Sequence, residues 1–284
     1  MSLSPAAIEA AFLAACRAEL DAVKPGNVHR FAAGHGMEAA TFEASAAASA
    51  PFIAQPGAVV GARILGATRA SWAAVGLNAN LGIVLLAAPL AAAAESGAGQ
   101  GTEALREALL GVLAELTPDD ARDAYAAIAL ASPGGLGEEA EHDVRRPPAI
   151  GLVAAMRLAG DRDLVARQYA DGFAEIFEIG VPALAAAEGA PSAPGLGPPL
   201  AAYLAFATRF ADSHVARKHG ILQAEALRRR MADFARRLER IDDPAEALEA
   251  ALAFDGELKR KKLNPGTCAD LTVASLFARI LAEA

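Results

Sequence analysis

One short segment of the sequence places an imidazole beside two cationic side chains. His214, Arg217 and Lys218 have the i, i+3, i+4 spacing that puts side chains on one face of a helix. An imidazole exchanges protons near neutral pH, whereas guanidinium and ammonium groups bind anions such as phosphate. Such a face is unlike an apolar core stripe, and it indicates acid–base chemistry on an anionic small molecule.

Glycine-bearing segments elsewhere in the chain carry further polar side chains. Glycine allows backbone N–H groups to approach phosphate oxygens, and carboxylates can hold Mg²⁺ that bridges phosphates. None of the segments is a Walker A or Rossmann fingerprint, and each alone is also typical of a turn or a helix stop. Residue chemistry therefore predicts an enzyme that acts on a phosphorylated small molecule. The candidate residues are Lys24, Gly26, Asn27, His29, His35, Asn78, Asn80, Gly134, Gly135, Glu139, Asp143, Arg145, His219, Asn264 and Asp270.

Composition excludes several other classes of protein. The 284 residues include 34 acidic and 26 basic side chains, a net charge of −8, and 54% are hydrophobic. Such a chain is too apolar to be disordered and too acidic for general nucleic-acid binding. The two cysteines, Cys16 and Cys268, cannot form a disulfide framework or a cysteine-based zinc site.

The sequence also argues against a membrane protein. The longest apolar run, residues 81–94, contains Pro89 and is shorter than the roughly 20 residues of a spanning helix. The N-terminus lacks a basic start and a clean hydrophobic stretch, so no signal peptide is expected. We therefore expect no membrane association and a reducing, cytoplasmic location.

Alanine dominates the apolar residues, and it has the highest intrinsic helix propensity. Residues that favour strands are sparse, since aromatics make up only 5% of the chain. The expected fold class is all-α: one compact multi-helix domain of about ten or more helices over residues 1–284. The Gly-, Pro- and Ser-rich segment 189–199 is a candidate exposed linker.

Local signals predict where individual helices begin and break. Ser4-Pro5 is typical of an N-cap followed by proline at the first helical position. A long helix is expected at about 161–188, interrupted near Gly180-Val181-Pro182, and another at about 200–219. The last helix is expected to begin near Thr267, with Asp270 as its capping-box partner.

Taken together and in their order, the motifs resemble the triphosphoribosyl-dephospho-CoA synthase family over Lys24 to Leu281. The family is all-helical, and its founding members transfer the triphosphoribosyl part of ATP to a hydroxyl of 3′-dephospho-CoA, releasing adenine. The product is the prosthetic-group precursor of an acyl carrier protein of citrate or malonate decarboxylase. The motifs that carry the resemblance are Lys24-Pro25-Gly26-Asn27-Val28, Gly34-His35-Gly36-Met37, Asn78-Ala79-Asn80-Leu81-Gly82, Gly134-Gly135-Leu136-Gly137 through His142-Asp143-Val144, and Asn264-Pro265-Gly266-Thr267 with Ala269-Asp270-Leu271.

The resemblance implies a role for each motif. Asp143 or Glu139 would lie beside the sugar and hold Mg²⁺, and His35 or His214 would act as acid or base. The triphosphate would be clamped by Lys24, Arg217 and Lys218, and the ribose or base would be oriented by Asn78 and Asn80. The other implied substrate-binding residues are Gly26, Asn27, His29, Gly134, Gly135, Arg145, His219, Asn264 and Asp270.

Departures from the family pattern leave alternatives open. The family has Asn-Thr-His-Lys-Gly at residues 78–82 and an aspartate in the motif that includes His35-Gly36-Met37. The string 212–220 resembles a branch found in methanogens and methylotrophs. One alternative is therefore a transferase or ligase that makes a one-carbon carrier of the methanopterin or methanofuran type. A second is a non-catalytic nucleotide-binding helical module.

The expected partner in each case is a small-molecule nucleotide or a phosphorylated cofactor precursor. Weakly amphipathic, alanine-rich helices would also suit a homodimer, although no motif specifies one.

Overall fold

A computed structural model describes residues 2–97, 99–131, 146, 148–189 and 192–284. These residues form fourteen α-helices and one π-helical turn, which confirms the all-α prediction. Only two isolated β-bridges occur in the described chain, His29 with Ala32 and Gly34 with Met37. The helices are α1 Pro5–Leu20, α2 Ala39–Ile53, α3 Val60–Val75, α4 Leu81–Glu95, α5 Thr102–Ala114, α6 Pro118–Ala131, α7 Leu152–Ala159, α8 Leu164–Ala170, α9 Val181–Ala186, α10 Pro198–Arg209, α11 Ser213–His219, α12 Ile221–Leu238, α13 Pro244–Arg260 and α14 Gly266–Glu283.

Two helices, α4 and α14, lie at the centre of the fold. Both are buried around most of their circumference, as their near-continuous apolar sequences require. They pack against each other, α4 also packs against α3 and α5, and α14 also contacts α1 and α10. Phe12 of α1 meets Phe277 of α14 edge to face, with ring centroids 5.8 Å apart.

Small residues allow α2, α3 and α6 to approach closely on one side of this core. The Gly61 N–H donates to Asp120 Oδ1 at 2.7 Å, and a Cβ at Gly61 would lie 2.5 Å from the Asp120 Cα. The Asp120 carboxylate also accepts the N–H and hydroxyl of Thr117, closing a capping box at the start of α6. The predicted N-cap of α1 is confirmed, since Ser4 Oγ accepts the Ala7 N–H.

The predicted helix at 161–188 is several elements. It contains α8, a π-helical turn at Ile176–Gly180 and α9, and the unpredicted α7 precedes it. The backbone leaves the helical region at Gly172 and Phe173, whose φ angles are +62° and +58°. At Gly180-Val181-Pro182, where the sequence predicts an interruption or kink, the backbone stays helical, and the π-helical turn passes directly into α9 with Pro182 in its first turn.

The predicted helix at 200–219 is also wrong as a single element. The chain is extended at Phe210, and Asp212 starts α11 by accepting the N–H groups of His214 and Val215. The predicted capping box of α14 does not form. Its N-cap is Pro265, and Thr267 Oγ1 accepts the N–H of His214 from a different helix.

Helices on both sides of residues 190–191 contribute to one continuous apolar core. The described part of the candidate linker lies against the chain after α1, where the Val23 N–H donates to the Gly195 carbonyl at 2.8 Å. The single domain remains a prediction. None of the helices in the described ranges is long and apolar enough to span a bilayer.

Candidate active site

A cavity of about 1020 Å³ opens where the segments after α1, α3, α7 and α10 meet the segment before α14. Its volume lies at the upper end of the roughly 300–1,000 Å³ typical of small-molecule sites. Part of the lining, the apolar wall, includes Met37, Phe42, Leu85, Tyr125, Ile128 and Met156.

Four arginines form a cationic side of the same cavity: Arg162, Arg167, Arg209 and Arg217. Arg217 forms an ion pair with Asp163, which also caps α8 through the Val165 and Ala166 N–H groups. Arg209 is exposed, and its NH1 donates to the Ala205 carbonyl of its own helix, at 2.9 Å. Guanidinium groups bind phosphates in bidentate fashion, so this side suits a polyphosphate.

The starts of α11 and α14 are joined through one buried carboxylate. Besides capping α11, Asp212 accepts the Cys268 N–H of α14 at 2.8 Å. This bond and the one from His214 N to Thr267 hold the predicted string 212–220 against the Asn-Pro-Gly-Thr turn. Two motifs far apart in the chain therefore form one wall.

His214 lines the cavity, as predicted, in a strongly desolvating environment. Burial, followed by repulsion from Lys218 and Arg217, lowers its pKa to about 3. Its Nε2 is buried without a hydrogen-bond partner in the described structure. The imidazole is therefore neutral at physiological pH. It can form hydrogen bonds, but it is not in the protonated form that a general acid needs.

Lys24 lies behind the cavity wall. It is fully buried, its Nζ is 3.2 Å from Glu19 Oε1, and it donates to the carbonyls of Glu19 and Val28 at 2.8 Å. Burial lowers its pKa, opposed by the attraction of Glu19. These contacts fix the Lys-Pro-Gly-Asn loop and bring Glu19, not Lys24, to the cavity. The geometry favours a structural role for Lys24 over the predicted phosphate clamp.

The loop after Lys24 reaches the cavity through Asn27, whose Nδ2 donates to Asn264 Oδ1 at 2.8 Å. Asp255 of α13 holds the loop by accepting the Gly26 N–H at 2.9 Å. Gly26 has φ +88°, and a Cβ there would lie 2.7 Å from the Leu263 carbonyl oxygen. Only glycine fits this approach of the two predicted motifs.

His29 and His35 lie around this loop and not among the lining residues. His29 Nε2 is 3.3 Å from Asp255 Oδ2, and Lys259 Nζ is 2.9 Å from the same oxygen. His35 Nε2 contacts the Gly26 carbonyl at 2.7 Å. Burial lowers the pKa of both imidazoles. Their visible role is to position the loop.

The two predicted asparagines of the α3–α4 connection differ in position. Asn78 lines the cavity, and its Oδ1 accepts the Leu81 N–H at 3.3 Å. Asn80 is buried and donates to Ser49 Oγ at 3.0 Å, which anchors α4 to α2. The next turn includes Gly82, which faces the side chain of Asp270 from α14.

The remaining predicted site residues either lie outside the cavity wall or fall outside the described residues. Lys218 and His219 are exposed at the end of α11, and His219 Nε2 contacts the Lys262 carbonyl at 3.1 Å. No group of three or more His, Cys, Asp or Glu that could hold a metal occurs in the described ranges. Five predicted residues, two of them the proposed metal ligands, lie outside the described residues: Gly134, Gly135, Glu139, Asp143 and Arg145.

Sequence reasoning missed Glu19 and three of the four cavity arginines. Glu19 follows the apolar face of α1 and reads as an ordinary surface charge, while Arg162 belongs to a short charged segment typical of a solvated loop. Only the packing of α7, α8 and α10 brings Arg162, Arg167 and Arg209 to the same opening. No local sequence signal distinguishes them from other exposed arginines.

The fold is an all-helical one with a cavity large enough for a small molecule. Residues 5–284 match CitG, the ATP:dephospho-CoA triphosphoribosyl transferase family, and the chain belongs to that family. The predicted family and transferase class are thereby confirmed.

A solved structure supports this assignment. It is described as "putative triphosphoribosyl-dephospho-coA synthase from Archaeoglobus fulgidus" and is 26% identical in sequence. The match covers 85% of this chain and 98% of that one, with a TM-score of 0.66. No curated protein matches the sequence significantly.

Proposed function

We propose that this protein transfers the triphosphoribosyl group of ATP to a hydroxyl of 3′-dephospho-CoA and releases adenine. The observation that carries the proposal is the family match over residues 5–284. The cavity supports it with a cationic side for polyphosphate and an apolar wall for a purine. Its volume of about 1020 Å³ suits a site that binds a donor and an acceptor together.

The reaction breaks the bond between ribose C1′ and the purine through an oxocarbenium-like transition state. Arg162, Arg167, Arg209 and Arg217 bind the triphosphate and hold the ribose still while that bond breaks. The paired amides of Asn27 and Asn264 orient a sugar hydroxyl or the base, because each amide group offers donors and acceptors.

Mg²⁺ fits the proposed chemistry, since it is bound in proteins through one or two carboxylates together with substrate phosphates. Glu139 and Asp143 are the proposed ligands. When bound, the ion neutralises part of the triphosphate charge. A homodimer and a cytoplasmic location stay predictions.

Mass spectrometry of ATP incubated with the protein and Mg²⁺, with and without 3′-dephospho-CoA, tests the proposed function. We expect adenine only in the presence of dephospho-CoA, matched by a triphosphoribosylated product. Intact ATP in both samples would overturn the substrate assignment. Release of ADP or AMP would instead indicate a ligase or another transferase.

A further inference from the structure

Two carboxyl groups of the cavity lining, Asp161 and Asp270, have no partner among the described residues, and Asp161 is exposed to solvent. Asp270, on the second turn of α14, lines the cavity and makes no hydrogen bond or ion pair with any residue of the described chain. Each of the other cavity carboxyls forms an ion pair: Glu19 with Lys24, Asp163 with Arg217 and Glu225 with Arg228. Asp270 is thus left with its oxygens available to a ligand.

Gly82 creates the space that Asp270 occupies. A Cβ at Gly82 would lie 2.1 Å from Asp270 Oδ2. Any other residue at position 82 would therefore displace the Asp270 carboxyl. Glycine has a low helix propensity, and its presence here needs another reason. The close approach of α4 and α14 explains it and fixes the carboxyl against the cavity wall.

The surroundings of Asp270 favour its protonated form. Burial raises its pKa well above the usual value of an aspartate, and the negative charges of Asp212, Glu19 and Asp163 raise it further. Arg217 opposes this effect only in part. Burial also lowers the pKa of His214, an imidazole of the same lining, and keeps it neutral at physiological pH. The raised pKa of Asp270 suits a carboxyl that gives a proton to a ligand in the cavity.

A purine is a poor leaving group until a ring nitrogen is protonated or hydrogen-bonded, so triphosphoribosyl transfer needs an acid beside the base. We propose that Asp270 is the general acid of this reaction and protonates N7 of the departing adenine. This inference rests on the proposed function and adds the residue that makes the leaving group neutral.

Cleavage of the C1′–N9 bond is accompanied by proton transfer from Asp270. The electron pair of the C1′–N9 bond moves into the purine ring while the Asp270 hydroxyl gives its proton to N7, so neutral adenine leaves. The acceptor oxygen forms the new bond to C1′ and loses its proton to solvent. Asp270 regains a proton from solvent before the next turnover.

Asp270→Asn keeps the size of the side chain and removes the acid. We expect adenine release to fall by about 100-fold or more, the range usual for loss of a general acid. The KM for ATP should change little, and the fall of the wild-type rate at alkaline pH should disappear. The matched control is Asp123→Asn, a half-buried aspartate of α6 that does not line the cavity. It should retain the wild-type rate and pH profile.

A second measurement keeps the test independent of folding. Wild-type protein should turn over 7-deaza-ATP, which has no N7 to protonate, about 100-fold or more slowly than ATP. Asp270→Asn should lose little further rate on that analogue. Equal wild-type rates on the two nucleotides, or a fully active Asp270→Asn, would overturn the general-acid role alone. A wild-type protein that releases no adenine from ATP would overturn the proposed function itself.

Discussion

Several ionisable side chains in and around the predicted motifs are buried and hold loops in place, and they do not face the cavity. Lys24, His29 and Asp255 are each at least nine-tenths buried, and their contacts hold the loop that presents Asn27 to the cavity. A buried charge is tolerated only when it is paired and hydrogen-bonded. In the Lys-Pro-Gly-Asn motif, Lys24 was predicted to bind phosphate, but its contacts stabilise the loop outside the cavity.

The neutral state of His214 predicts how stability depends on pH. Its folded pKa of about 3 lies below the usual value near 6.5, so the unfolded chain takes up a proton first as the pH falls. The stability that the neutral imidazole allows is present above about pH 6.5 and is lost toward pH 3. His214→Gln should reduce the loss by up to about 1.4 kcal/mol per pH unit between pH 6 and 4.

Urea unfolding of wild type and His214→Gln at several pH values measures this difference. An identical pH slope in the two proteins would contradict a neutral, buried imidazole. A reduced slope would also agree with the assignment of the proton donor to Asp270 and not to His214.

At the scale of the elements, breaks in the helices place functional groups. The extended residue Phe210 and the cap at Asp212 let α11 turn away from α10, and this turn sends His214 and Arg217 toward α14. A continuous helix at 200–219 would lack the Asp212 cap and its bond to Cys268. The break between α10 and α11 is therefore needed to form this part of the site.

Two helical glycines distinguish close packing from simple helix propensity. Gly61→Ala would place a Cβ 2.5 Å from the Asp120 backbone, so we expect destabilisation of about 1–3 kcal/mol from overpacking. Gly111→Ala is the matched change on the exposed face of α5, where nothing lies within 4 Å. It should stabilise the protein by roughly 0.5–1 kcal/mol. Thermal and urea unfolding measure both changes, and a stabilised Gly61→Ala would contradict the tight α3–α6 contact.

At the scale of the whole molecule, the cavity exists only because distant segments converge. Its walls include residues from α1 at one end of the chain and α14 at the other, with arginines from segments between them. A ligand that bridges these segments should stabilise the fold as a unit, because it binds only the native arrangement.

Saturating MgATP should therefore raise the Tm of the wild-type protein, by an amount equivalent to about 2.7 kcal/mol when ATP exceeds its Kd 100-fold. Arg209→Gln removes the guanidinium proposed to bind phosphate, and this variant should require roughly tenfold more ATP for the same shift. Arg236→Gln is the control, since this exposed arginine of α12 pairs with Asp233 and does not line the cavity. Equal ATP dependence in both variants would argue against a phosphate site at Arg209.

The sequence by itself determined the helical class, most helix positions and the family. Alanine content and capping residues are local properties of the sequence. The motifs and their order along the chain can likewise be recognised without knowing how the helices pack. It also brought forward Asn27, Asn78, His214, Arg217, Asn264 and Asp270, which line one cavity.

The tertiary structure decided which polar residues face that cavity and in which protonation state. Lys24 turned inward to Glu19 and Val28, which are near it in the chain but enclosed by the packed helices, and Asn80 turned inward to Ser49 of a different helix. The arginines of α8 and α10 joined the site through the same packing of helices. Desolvation is a property of the assembled surroundings, and it is the largest cause of the lowered pKa of His214 and the raised pKa of Asp270.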